Sequence, residues 1–389
     1  MATSLSGKAA IVGAYESPRR KADGVHPFEI QAEVVTAALH DAGLELSDVD
    51  GFCTTAGDVA EGGAVENIIE VAEYIGIQPT YFDSTDIGGC SYIAQAGRAA
   101  AAIAAGLAEV VVVSHAACPR WWPLPIPDLN TLSYPLGPGE FEVPYAGSVV
   151  SNYAMIARRH MHEFGTTPEQ LAQIAVTCRE NAANNPDARF RSPLSVEDVL
   201  TSRSIADPLH KFDCCVVTDS GGAVVITSAE RAKDLKTKPV PILGFGSAIS
   251  RIHMNRMDPV TLTPAAISGP RAMSMAGITP ADVDVAQLYD AFTITVLLAL
   301  EDLGFCAKGE GGEFVASGAI SAGGSLPINT DGGGLSSNHT GKRGIFAMIE
   351  GVRQMRGEGP GVQIDNPEIS LVHGWGGTFS SAATLVLGA

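Results

Sequence analysis

Apolar and polar positions along this chain switch between two periods. AAIVGAY (9–15) is a continuous apolar run of strand length, FEIQAEVVTAALHDAG (28–43) spaces its apolar residues three and four apart as a helix does, and VDGFCTT (49–55) is a second strand. Gly43 stands where a helix C-cap belongs. A loop and a short helix near 64–75 lead to the strand PTYFDS (79–84), the small-residue helix SYIAQAGRAAAAIAAG (91–106) and EVVVVSHA (109–116). Unbroken valines in that last strand predict cover on both of its faces.

The order then repeats. It runs through the strand PVPILGFGSA (239–248), a helix near 262–276, the strand VDVAQLY (283–289), a helix over 290–303, the helix GKRGIFAMIEGVRQMR (341–356), and the strands ISLVHGW and AATLVLG. Two passes through one alternation of periods predict a duplicated α/β unit, alike in pattern rather than in residue identity. Between them, 117–237 differs in composition. CPRWWPLPIPDLNTLSYPLGPGEFEVP has many prolines and two adjacent tryptophans, the profile of an ordered covering loop. YAGSVVSNYAMIARRHMHEFG and TPEQLAQIAVTCRENAANN follow as amphipathic helices, the second with Pro168 at its first position after Thr167. DCCVVTDSGGAVVITSAERA re-enters the core. The division drawn from this is an N-terminal half of 1–116 with 175–250, a loop and helical insertion over 117–174 that shapes substrate binding, and a C-terminal half of 251–389.

Composition narrows the partners. With 389 residues, 46% of them hydrophobic and 17% charged, the chain holds a generous core, which excludes a small stapled scaffold and intrinsic disorder. The 43 acidic against 25 basic residues leave a net charge of −18, which opposes binding to nucleic acid or anionic membranes. Seven cysteines (53, 90, 118, 178, 214, 215, 306), without a CxxC pair or metal-ligand spacing, read as reduced thiols of a cytoplasmic protein with no metal site. MATSLSGKAAIVGAY lacks a signal-peptide core, and AAAAIAAGLAEVVVVSHA is broken by Gly106 and Glu109, so no membrane span is expected.

Four polar or glycine-rich turns sit at matching strand ends of the two halves, where α/β sheets bind ligands: GGCS (88–91), YDAF (289–292), GGGLSSNHTGKRG (332–344) and HGWGG (373–377). Cys90 opens an alanine-rich helix whose dipole favours a thiolate, or is simply a small buried residue. His339 is a candidate proton donor or acceptor, or a hydrogen-bonded structural residue, and His373 occupies a comparable strand end. Tyr289 is a core aromatic unless His339, His373 and Asp290 gather around it. Gly332–Gly334 let backbone approach a ligand, and Lys342 and Arg343 either bind an anionic group at a helix start or are ordinary surface charges. GxxxxGK[ST], a strand-linked GxGxxG and HExxH are all missing, so no nucleotide-driven or metal-driven chemistry is expected.

With the duplicated βαβ pattern, the helix after GGCS, YDAF, GGGLSSNHTG and the terminal HGWGG, the chain resembles the thiolase superfamily over nearly its whole length. RRHMHEFGTTPEQLAQIAV followed by PLHKFDCCVVTDSGGAVVITSAERA is similar to the middle segment of the lipid-transfer-protein, or sterol-carrier-type, branch. The resemblance implies a five-layer αβαβα fold. It places the acylated-cysteine position of thiolases on Gly89, one residue before Cys90, the second-motif Asn position on Tyr289, the third-motif His on His339 and the fourth-motif Cys position on His373.

Without a thiolate in place the covalent acyl-transfer step is lost, while a thioester-oxygen site still stabilises an enolate. That combination resembles thiolase-fold aldolases of steroid side-chain catabolism, which split a β-hydroxyacyl-CoA into a ketone or aldehyde and a shorter acyl-CoA. Such a resemblance implies catalysis by Tyr289, His339 and His373, with Gly89, Asp290, Gly334, Asn338 and Gly376 against the substrate. It implies coenzyme A as part of the substrate rather than a resident cofactor, a homodimer, and a small zinc-ribbon and OB-fold partner protein. Those aldolases also imply a second tyrosine in the 332–344 stretch, where this chain has Ser336, Ser337 and Asn338. Two rival readings are an acyltransferase using Cys90 and a non-catalytic carrier of lipid or acyl-CoA.

Overall fold

A computed structural model describes residues 5–55, 67–121, 142 and 149–389. The expected covering loop falls almost wholly on 122–141 and 143–148, outside the described residues. Strands β1 (Ala9–Glu16), β2 (Gly51–Cys53), β3 (Tyr81–Asp83) and β4 (Val110–Ala117) come first. After them β5 (Ser204–Ala206) and β6 (Leu209–His210) form a separate small pair, and β7 (Ser220–Ser228) rejoins the main sheet. Strands β8 (Val240–Ile249), β9 (Val285–Leu288), β10 (Ile369–Gly376) and β11 (Ser381–Gly388) complete it, in the order β3-β2-β4-β7-β1-β8-β11-β10-β9.

Outward from the β1–β8 seam the two halves match strand for strand. β1–β7 and β7–β4 are antiparallel and β4–β2 and β2–β3 parallel. On the other side β8–β11 and β11–β10 are antiparallel, β10–β9 is parallel, and Ile328 adds a parallel bridge to Ala286 where the counterpart of β3 belongs. The seam itself holds only the pairs Ala10–Pro241 and Ile11–Val240, whereas β8 bonds β11 along its length. β8 therefore occupies in the second half the place of β1 in the first.

Alternation along each buried strand creates the layers. In β4, Val111 and Val113 join a central core with Ile11, Val224 and Ile226, while Val110 and Val112 point the other way with Ala10 and Val225. The central core is filled by helix α3 (Ser91–Ala104) and the helix Gly344–Arg356, which lie between the two half-sheets. Helix α1 (Pro27–Ala42) and α2 (Asn67–Ile75) cover the outer face of the N-terminal half. The outer face of the C-terminal half is covered by Ala265–Ala276, Thr293–Asp302 and the insertion helices Val149–Phe164 and Pro168–Ala182. This is the five-layer αβαβα arrangement.

Local signals act as their chemistry requires. Gly43 caps α1 in the left-handed region at φ 75°, and the Thr167 hydroxyl accepts from the Gln170 N–H at 3.3 Å with Pro168 next to it. Helix starts differ from the pattern near the site. The helices expected from 290 and 341 begin at Thr293 and Gly344, because Phe292 is extended and Gly341 turns the chain at a positive φ of 105°. No helix among the described residues is long and apolar enough to cross a membrane. In the central layer a Cβ on Gly97 would overlap the Phe245 ring. Gly97→Ala is therefore expected to lower stability by about 1–3 kcal/mol in urea unfolding, with part of the loss recovered by Phe245→Leu in the same chain.

Candidate active site

The turn before α3, the YDAF segment after β9, the 338–343 turn and the end of β10 converge on one cavity of about 340 Å³. Tyr289 leaves β9 with its N–H donating to the His373 carbonyl at 3.0 Å, which turns the phenol across the mouth of α3. There it lies on Gly89. A Cβ at position 89 would fall inside the Tyr289 ring and against the Trp375 carbonyl, so the phenol and any side chain at 89 exclude one another. Gly344 closes the same junction from the second central helix, donating its N–H to the Gly89 carbonyl at 3.0 Å.

The Tyr289 hydroxyl is 3.0 Å from His339 Nε2 and donates to the Gly341 carbonyl at 3.1 Å. The Gly341 N–H donates to His339 Nδ1 at 3.2 Å, so a neutral His339 carries its proton on Nε2 and donates it to Tyr289 Oη. Burial, aided by the nearby Arg343 charge, holds the imidazole down to about 3, so it is neutral near pH 7. Burial likewise pushes the Tyr289 phenol well above its ordinary value, with Cys215, Tyr153 and Asp290 adding to it. The pair is thus uncharged at rest.

Other expected site residues lie behind this wall. Cys90 is fully buried; its Sγ is 3.3 Å from Ser381 Oγ, it does not line the cavity, and burial pushes its thiol up to about 12. No thiolate forms there near neutral pH. His373 points into the outer core of the C-terminal half, Nδ1 2.8 Å from Thr384 Oγ1, and burial alone lowers it to about 3. Trp375 packs edge-on against it at 4.3 Å and lines the cavity in its place.

Asp290, Gly334 and Asn338, expected against the substrate, instead build the loop. The Asp290 carboxylate accepts from the Gly334 and Leu335 N–H groups at 2.7 and 3.0 Å, although its burial raises it to about 6. Asn338 donates to Glu16 at 2.8 Å and accepts from Thr218 at 2.6 Å. Gly376 packs on the Ile87 carbonyl, and the next residues, Gly377 and Thr378, reach the cavity. Arg343 is neither an anion ligand nor a surface charge: it is buried, bonded to Asp331 at 2.7 Å and 3.2 Å from Asp290. Lys342 does line the cavity, its Nζ 2.7 Å from Asp86.

Sequence reasoning missed Tyr153, whose hydroxyl donates to the Gly377 carbonyl at 2.6 Å and whose ring stands 4.6 Å from Phe292. It also missed Cys215, which lines the cavity. Tyr153 sits in an amphipathic stretch where only its place on the buried stripe gave a signal. Among the described residues, no cluster of three or more His, Cys, Asp or Glu side chains is arranged to hold a metal ion.

Fold and site together define a thiolase-type α/β enzyme. The family described as "Thiolase C-terminal domain-like" matches residues 246–389. A 17-hydroxy-3-oxo-4-pregnene-20-carboxyl-CoA lyase of Mycobacterium tuberculosis is 39% identical, covering 91% of this chain and 92% of that protein. A steroid side-chain-cleaving aldolase of Thermomonospora curvata is 35% identical over 99% of each. An acetyl-CoA acetyltransferase of Methanothermobacter thermautotrophicus is 34% identical over 96% of this chain and 97% of its own. A solved structure described as "Ltp2-ChsH2(DUF35) aldolase" superposes with a TM-score of 0.89 at 35% identity, covering 99% of this chain and 98% of that one. The chain belongs to the thiolase superfamily, in the lipid-transfer-protein branch that holds these side-chain-cleaving lyases and aldolases.

The depressed imidazoles set a stability prediction. The ordinary value of each is 6.5, so between about pH 3 and 6.5 the unfolded chain binds more protons than the folded one. The stability these neutral residues confer is complete above 6.5 and is lost as pH falls through that window. Each should cost roughly 1–2 kcal/mol at pH 5 relative to pH 7.5 in urea unfolding, and His373→Gln should show a shallower fall. An unchanged slope in that variant would contradict the assignment.

Proposed function

We propose that this enzyme cleaves the Cα–Cβ bond of a β-hydroxyacyl-CoA by a retro-aldol route, releasing a ketone or aldehyde and a shorter acyl-CoA. The observation that carries this reading is the Tyr289 phenol, hydrogen-bonded to neutral His339 and filling the space above Gly89 where an attacking side chain would need to stand. Retro-aldol chemistry has no covalent acyl step, but it needs a proton carrier and support for an enolate.

A neutral phenol suits both demands. As the Cα–Cβ bond breaks, its electron pair passes into the thioester enolate and a carbonyl forms at Cβ. The β-hydroxyl proton moves to Tyr289 Oη while the proton already there is delivered to Cα, so the carrier ends as it began and no co-reactant is consumed. The single His339 Nε2–H, directed at Oη in the resting site, is assigned to the thioester oxygen once substrate is bound, where it supports the developing enolate. His373 has no place in these steps, since its imidazole bonds to Thr384 behind Trp375.

Tyr153, Phe292 and Trp375 give the cavity an aromatic wall suited to a bulky apolar carbonyl product, which favours a steroid side chain as substrate. Coenzyme A enters as part of that substrate, with no resident cofactor. A homodimer formed at the β3 edge is proposed, where Ile69 and Phe82 are exposed beside an apolar groove. The two names joined in the solved aldolase's description support a second protein component, for which the zinc-ribbon and OB-fold partner remains the proposal. Seven unpaired cysteines favour the reducing cytoplasm.

The test is a panel of β-hydroxyacyl-CoA and β-ketoacyl-CoA esters, with and without free coenzyme A, followed by mass analysis. Hydroxy esters should split without added coenzyme A. Tyr289→Phe should lose about a hundredfold or more in kcat, Cys90→Ser should stay near the parent rate, and kcat should show no inflection near pH 6.5. The acyltransferase reading, favoured by the 34% identity to an acetyltransferase, requires the reverse: cleavage of keto esters dependent on coenzyme A and abolished by Cys90→Ser.

A further inference from the structure

A second buried tyrosine–histidine pair, Tyr92 of α3 and His115 of β4, lies on the far side of the turn that carries His339. Tyr92 Oη is 2.7 Å from His115 Nδ1 and 2.8 Å from Thr55 Oγ1. His115 Nε2 is 2.7 Å from Thr340 Oγ1, and Lys342 Nζ reaches Thr55 Oγ1 at 3.2 Å and Asp86 at 2.7 Å. The 339–342 turn is therefore gripped in alternation. His339 and Gly341 meet Tyr289, while Thr340 and Lys342 meet the Thr55–Tyr92–His115 chain.

This chain crosses the seam of the molecule. Thr55, Asp86, Tyr92 and His115 belong to the N-terminal half, and the turn they hold belongs to the C-terminal half. Burying this many polar groups costs desolvation that apolar side chains of similar volume would avoid, so the chain does more than fill the core. What it fixes is the height of the turn over the start of α3, the same helix start that offers Gly89 to the Tyr289 ring. A tyrosine oxygen that takes a proton from the β-hydroxyl and gives one to Cα needs its hydrogen-bond partners held within fractions of an ångström.

We propose that Tyr92 and His115 are positioning residues, acting through Thr340 and Lys342 to hold His339 and the Gly341 carbonyl at hydrogen-bond distance from Tyr289. The proposal rests on the reaction assigned to that pair above. The test uses the full-length enzyme and the β-hydroxyacyl-CoA ester of the panel that it turns over best. Thr340→Val and His115→Leu should each lower kcat roughly tenfold with KM within about twofold, and the double variant should be no slower than the worse single one. His115→Gln, which keeps a donor or acceptor toward Thr340, should recover most of the rate.

Parent-like kcat in both single variants, additive losses in the double variant, or a loss confined to KM would each overturn the proposal. If His115→Leu does not fold, Thr340→Val with Tyr92→Phe forms the same cycle. A second readout needs no turnover: in 15N-histidine-labelled enzyme, with the His339 imidazole assigned by its loss in His339→Gln, Thr340→Val should shift those resonances. Unshifted His339 signals would overturn the positioning role even if the reaction stands, and shifted signals with no ester cleaved would sink the retro-aldol reading alone.

Discussion

The site depends on one steric fact: a tyrosine ring and a bare glycine share a volume that cannot hold a ring and a side chain together. Tyr289 lies on Gly89, and Gly344 presses on the same residue from the other central helix with an N–H bond to its carbonyl. Two helix starts and a strand end thus meet at a point without side chains of its own. That is what places a phenol, rather than a thiol, at the cavity, and what leaves Cys90 one residue further along, bonded to Ser381 in the buried interior.

Charge is handled by the same close packing. The chain is strongly acidic, yet next to its site the guanidinium of Arg343 is buried between Asp290 and Asp331, and these carboxylates fasten the glycine loop through backbone N–H groups. A buried network of this kind is weak evidence for net stability, but breaking one member leaves an uncompensated charge. Its consequence at the cavity is electrostatic: burial, aided by the Arg343 charge, keeps His339 neutral, so the Tyr289–His339 pair holds protons without holding charge.

Duplication explains where this apparatus could form. Each half repeats one strand order outward from the seam, and the seam is thin, with two residue pairs joining β1 to β8. Across it the central helices supply the apolar packing, and polar links such as His115 to Thr340 tie one half to the other. The cavity opens where those elements meet, and its aromatic wall is completed by Tyr153 from the insertion, so the two halves and the insertion each supply part of the site.

Much of this was legible in the residues alone. Strand and helix periods are local properties, so the repeated α/β order, the doubly covered valine strands, the Gly43 cap and the Thr167–Pro168 helix start could be read directly, and the four turns were found because glycine and polar clusters interrupt those periods. Which side chains face the cavity was a different matter. His373 and Trp375 share one strand face, and only the tertiary structure decided that the indole lines the cavity while the imidazole is buried against Thr384. Asp290, Asn338 and Arg343 looked like ligand contacts because their charge and polarity are visible in sequence, whereas their partners, up to some hundreds of residues away, are not. Tyr92 and His115 gave no local signal for the same reason: a hydrogen-bonded chain across a seam exists only once the two halves have closed upon each other.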